Sequence, residues 1–132
     1  MDNTKVRDEA RYIARMYEQW IRNRNNGIRI GLYLSFYNYK RVAIYGYMAA
    51  GTLLYEEIKD NVEVCFAIDQ AAWIIHEDKL MVYLPKDAPE DVDVVIVTVL
   101  FGYPQIKREL QKKYTCPIIS LQELIFDSEG FG

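Results

Sequence analysis

The 132-residue chain is long enough for one hydrophobic core and short for separate cofactor and substrate domains. Its 51% hydrophobic and 27% charged residues match a soluble globular protein, and no apolar run reaches the ~18 residues of a membrane helix. The formal charge of −3 is divided unevenly: residues 1–41 carry nine Lys/Arg against four Asp/Glu, and residues 42–132 carry seven against 15.

A basic segment ahead of an acidic domain can serve as a nucleic-acid arm. Here the basic residues alternate with large apolar ones at helical spacing, which favours packing on the acidic part, in the same chain or in a second subunit, and no nucleic-acid partner. Cys65 and Cys116 stand far apart with no second Cys or His nearby, so neither a zinc site nor a disulfide framework is indicated and no metal is expected. Free thiols and the absence of an apolar signal core suit a cytoplasmic protein with no membrane partner.

In chain order, Asn3 or Thr4 can cap a helix running to about Arg24, with Val6, Ala10, Ile13, Tyr17, Trp20 and Ile21 on one face. Asn25-Asn26-Gly27 ends it. Residues 28–39 fit both a strand and a helix, and a short helix is the reading adopted. Residues 1–40 therefore form a helical extension for docking or dimerisation, and 41–132 a second unit.

From Arg41 the two periods alternate. Val42–Tyr45 is a strand and Ala49–Lys59 a helix with Ala50, Leu53, Leu54 and Ile58 inward. Val62–Ile68 is a strand with Val64, Phe66 and Ile68 on one face, and Gln70–Lys79 is a connection. Leu80–Leu84 is a short strand, and Val92–Val99 reads as a strand buried on both faces. Helix Pro104–Lys113, strand Pro117–Ser120 and helix Leu121–Phe126 follow, the last with a Ser120/Glu123 capping box. Strands alternating with helices predict an α/β fold: an abbreviated doubly wound parallel sheet of about five strands, order 3-2-1-4-5.

Such sheets bind ligands at the carboxyl ends of the strands where the order reverses. That crevice is expected between strands one and four, lined by Gly46, Tyr47, Met48 and Ala49 and by residues from Thr98 to Tyr103. Gly46 at a tight turn and Gly51 at a close helix approach are two glycines of a dinucleotide-binding loop, with Met48 at the position of the middle one, a degenerate G-x-M-x-x-G. Asp69, 23 residues after Gly46, suits a ribose hydroxyl and favours NAD over NADP. A plain turn-forming role is the competing reading of Asp69. Phe101 and Tyr103 can wall a ring-shaped ligand or plug the crevice.

Candidate chemistry is thin. Tyr-x-x-x-Lys occurs at Tyr55/Lys59 and Tyr103/Lys107, as chance supplies in a chain this rich in Tyr and Lys. The single His76 is expected on a surface loop. No catalytic set emerges.

Arg41-Val-Ala-Ile-Tyr-Gly46, Leu54-Tyr-Glu-Glu-Ile58, Ala67-Ile-Asp69, Val92-Asp-Val-Val-Ile-Val-Thr98 and Cys116-Pro-Ile-Ile-Ser-Leu-Gln-Glu-Leu124 together resemble small Rossmann-like nucleotide-binding domains. The group is that of the N-terminal domains of bacterial nucleotide-sugar and capsular-polysaccharide proteins. The resemblance implies a nucleotide- or dinucleotide-binding accessory protein near sugar-nucleotide metabolism, with NAD or a nucleotide-sugar as ligand. The alternative is a non-catalytic interaction module that kept the fold, lost the ligand and forms a homodimer through Val6, Ile13, Tyr17, Trp20 and Tyr33.

Overall fold

The structure, a computed structural model, describes residues 3–75 and 79–127. Helices α1 (Asn3–Asn25) and α2 (Ile30–Phe36) precede β1 (Arg41–Tyr45), α3 (Ala49–Ile58) and β2 (Glu63–Ile68). A 3-10 turn at Ala72–Ile74 leads to β3 (Val82–Tyr83), then β4 (Val94–Val97), α4 (Tyr103–Gln111), β5 (Ile118–Ser120) and α5 (Leu121–Asp127). The five strands form one all-parallel sheet in the order β3-β2-β1-β4-β5, as the alternation of periods predicts.

β1 and β4 are central and carry apolar side chains on both faces, so Val42, Ile44, Val94 and Ile96 point one way and Ala43, Tyr45, Val95 and Val97 the other. The first face is covered by α1, α2, α3 and α5. The second is covered by α4, with Ala88 and Val92 from the segment before β4. The β2 alternation breaks at a register shift: Val42 pairs with Val64, but Ala43 with Phe66. The extra residue, Cys65, rotates Phe66 and Ile68 to the second face while Val64 stays on the first. Val64, Phe66 and Ile68 thus do not share a face as strict period-two counting requires.

The leading helices share the core of the sheet. Met16, Trp20, Ile30 and Leu34 are buried in the same cluster as Val42 and Ile44. The docked stripe of α1 is the expected one only in part: Trp20 is buried and Tyr17 packs against the core, but Met16 and Asn23 are buried beside them whereas Val6, Ile13 and Ile21 are exposed. Polar anchors select this rotation. Trp20 Nε1 donates to Glu57 Oε1 at 2.9 Å, the Ile30 N–H donates to Glu57 Oε2 at 2.9 Å, and Arg24 lies 3.3 Å from the same carboxylate. Asn23 Nδ2 donates to the Ile125 carbonyl at 2.8 Å, joining α1 to α5. On α3 the buried residues are Gly51, Leu54, Glu57 and Ile58, so Leu53 faces outward, contrary to the apolar count.

Half of the expected capping box at α5 is present: the Glu123 N–H donates to Ser120 Oγ at 3.2 Å, while Glu123 Oε1 accepts from the Ser120 hydroxyl at 3.0 Å. Gly27, with φ 79°, ends α1 as Asn-Asn-Gly predicts. Among the described residues no helix is long and apolar enough to cross a membrane.

Candidate functional site: the crevice at the strand-order reversal

β1 and β4 end side by side, and their next connections leave on opposite faces of the sheet. That divergence opens a crevice of ≈ 540 Å³. Its walls include Gly46, Met48, Ala50, Asp69, Thr98 and Ile106. A second recess of ≈ 370 Å³ between α4 and Pro85–Lys86 shares Tyr45, Gln70 and Ile106 with it.

The turn after β1 needs both of its glycines. Gly46 has φ 92°, and a Cβ there would stand 2.6 Å from Thr98 Oγ1. A Cβ on Gly51 would run into the Gly46 carbonyl oxygen, so Gly51 lets α3 begin directly over the turn. Met48 occupies the N-cap position with φ −106° and supplies no side-chain cap. Its side chain swings outward and is 57% exposed at the mouth of the crevice. The start of α3 is therefore open to the crevice, with its first N–H groups and positive dipole end carrying no carboxylate or hydroxyl cap from Met48.

Asp69 is buried at the tip of β2. Its Oδ2 accepts from the Tyr47 N–H and its Oδ1 from the Ala71 N–H, each at 2.8 Å. The carboxylate ties the glycine turn to the β2 end and also forms the local turn that composition allows. Each oxygen retains a lone-pair direction, so the group both positions the loop and borders the crevice. Thr98 is likewise a tie: its hydroxyl reaches the Gly46 carbonyl at 2.6 Å and the Tyr45 carbonyl at 3.1 Å. It locks the ends of β1 and β4 together beneath the site.

The remaining expected residues separate. Tyr47 is buried on the far side of the turn and packs edge-on against Tyr55. Ala49 is exposed at the first position of α3. Phe101 lies against Tyr12 of α1, with centroids 5.9 Å apart, and does not line the crevice. Tyr103 turns under α4 and donates to the Ile118 carbonyl at 2.9 Å. Each ring has a protein partner of its own. Burial, and then the nearby Glu123, pushes the Tyr103 hydroxyl up to about 12, and Lys107 sits over its ring at 5.9 Å. That arrangement is a packed phenol and not an acid with a lysine partner. His76 lies outside the described residues. Among the described residues no three of His, Cys, Asp and Glu gather as a metal site.

Counting motifs missed Glu57, Asn23 and Gln70. Gln70 follows Asp69 and donates to the Tyr45 hydroxyl at 3.3 Å on the crevice wall. A polar residue beside a strand-end aspartate was the available signal. Comparison with family models, curated proteins and solved structures returns no match.

Proposed function

We propose that the chain is a nucleotide-binding module of Rossmann-like design, without catalytic residues of its own. One observation carries the reading: an uncapped helix start opens into a crevice at the strand-order reversal, beside a buried aspartate. Backbone N–H groups at such a start favour a phosphate, and the apolar wall from Ala50, Val99 and Ile106 suits a base or ribose. Asp69 disfavours a 2′-phosphate near β2, so NAD or a nucleotide-sugar fits better than NADP. Met48 narrows the mouth and can move, since its side chain is flexible and mostly solvated.

The test is a thermal-shift titration of wild type and Met48→Gly with NAD, NADH, NADP and nucleotide-sugars. A ligand at a hundredfold excess over its Kd adds about 2.7 kcal/mol to stability, an easily read rise in Tm. Wild type should respond to NAD or a nucleotide-sugar, and Met48→Gly should respond at lower concentration. Flat curves for both proteins across the panel would end this reading. The second reading, an interaction module, draws on a different surface.

A further inference from the structure

Helix α1 carries two apolar stripes; the fold uses one of them fully and, of the other, covers mainly Tyr17, which packs beside Trp20. Tyr12, Met16 and Trp20 turn toward the chain's own core or its flanking rings. Val6, Ala10, Ile13, Tyr17 and Ile21 recur at spacings of three and four on the adjoining face, leaving Val6 54%, Ile13 36% and Ile21 59% exposed. Next to this stripe Leu53 is 43% exposed, and it lines an apolar recess of ≈ 250 Å³ with Tyr17, Trp20 and Ile21. A helix face this regular and uncovered is an interaction surface.

The order of residues along the stripe indicates what covers it. Reversed and laid on itself, it sets Val6 opposite Ile21, Ala10 opposite Tyr17, and Ile13 opposite Ala14. Each large side chain meets a smaller one or an aliphatic one, and the tyrosine ring meets an alanine. Arg7 and Glu18 both flank the stripe on the same side. In an antiparallel pair related by a two-fold axis, that side of one helix faces the same side of the other. Arg7 then comes within about 3 Å, along the axis, of Glu18 of the partner subunit, from a rise of about 1.5 Å per residue. The ion pair forms twice. In a parallel pair the two-fold axis runs along the helices, so Arg7 faces the opposite flank of the stripe and lies about 16 Å along the axis from Glu18 of the partner subunit, too far to pair. Glu18 is free to serve, since its present partner Arg22 is on the surface and both side chains are mostly exposed.

We propose that α1 is a self-complementary dimerisation helix, which pairs antiparallel with a second copy of this chain about a two-fold axis near Ile13 and Ala14. The inference is independent of whether the crevice holds a nucleotide. One helix pair with Leu53 at its edge belongs to the small interface class, below about 1,200 Å², so a micromolar dimer is expected.

Sedimentation velocity of the full chain between about 5 and 500 µM tests it, a range that brackets a micromolar Kd. Wild type should pass from monomer to dimer. Ile13→Asp should weaken dimerisation at least tenfold and leave the melting of the dilute monomer unchanged, because Ile13 contributes little to the chain's own core. Arg7→Glu and Glu18→Arg should each weaken the dimer, and the two together should recover it. A wild type that stays monomeric throughout overturns the proposal, as does Ile13→Asp pairing as tightly as wild type or a double reversal no better than the single ones. Binding of a monomeric wild type to phosphatidylglycerol vesicles would also overturn it and give the stripe to a membrane surface.

Discussion

Glu57 holds three elements together, and its removal should be costly. The carboxylate is buried on α3 and accepts from the indole N–H of α1 and the first amide N–H of α2, both at 2.9 Å, with the Arg24 guanidinium at 3.3 Å. Glu57→Leu keeps the apolar volume and removes every acceptor. Two buried donors, Trp20 Nε1 and the Ile30 N–H, are then unpaired. Each costs about 1–3 kcal/mol, and breaking a buried charged network typically costs about 3–5 kcal/mol in total. Arg24 is about half exposed and recovers water, which keeps the sum inside that range. For a chain between the 100- and 150-residue classes this corresponds to a fall in Tm of roughly 10–20 °C. Glu57→Gln should cost less, since its carbonyl still serves one donor while its NH2 opposes the other. Trp20→Phe, paired with Glu57→Leu in a double-mutant cycle, isolates the indole bond, with an expected coupling of about 0.5–3 kcal/mol. Urea and thermal denaturation followed by circular dichroism measure all five proteins. A Glu57→Leu protein within about 0.5 kcal/mol of wild type, the range of an inconsequential surface change, would refute the argument that this carboxylate docks the leading helices.

Gly51→Ala sets two effects against each other: alanine favours a helix interior by about 1 kcal/mol, and a Cβ that meets the Gly46 carbonyl costs about 1–3 kcal/mol. Net destabilisation in urea denaturation is expected, and net stabilisation would contradict the close approach of α3 to the turn. Tyr103 and Tyr114 are both raised to about 12, mainly by burial, so the folded state holds their protons more tightly than the unfolded chain does. Their contribution to stability is whole below pH 10 and is lost as pH rises toward 12; stability against pH should fall less steeply there for Tyr103→Phe and Tyr114→Phe. Burial, and then the bond to Glu63, raises Cys65 to about 11, so in the folded protein this thiol should alkylate at pH 8 far more slowly than in urea.

The sheet was legible because its central strands are apolar on both faces and their spacing leaves room for one helix between neighbours. Gly46 and Gly51 were legible too, since a tight turn followed by a close helix leaves few other residues possible. The docked face of α1 was not. Two apolar stripes lie side by side, and the more regular one, through Val6, Ala10 and Ile13, is the one left outside. The choice was made by Glu57 and Ile125, 37 and 102 residues away from their partners Trp20 and Asn23. Periodicity within one helix carries no record of such partners. The Cys65 bulge was hidden for a similar reason, since β2 alone alternates cleanly and the register shift exists only against β1. At the site, strand-end position located Asp69 and Thr98, but only coordinates show that both side chains tie the backbone together.

Whether the crevice holds a nucleotide is decided by calorimetric titration of wild type and Ala50→Glu with NAD and a nucleotide-sugar. Ala50 lies in the first turn of α3 and lines the crevice. Ala50 also packs partly against the core, so a glutamate there gains about 0.3–1 kcal/mol from the helix dipole and loses some packing, while its charge repels a phosphate held at the same helix start. Wild type should bind, and Ala50→Glu should lose at least tenfold in affinity while remaining folded by circular dichroism. Equal binding by both proteins, or none by wild type, would contradict it.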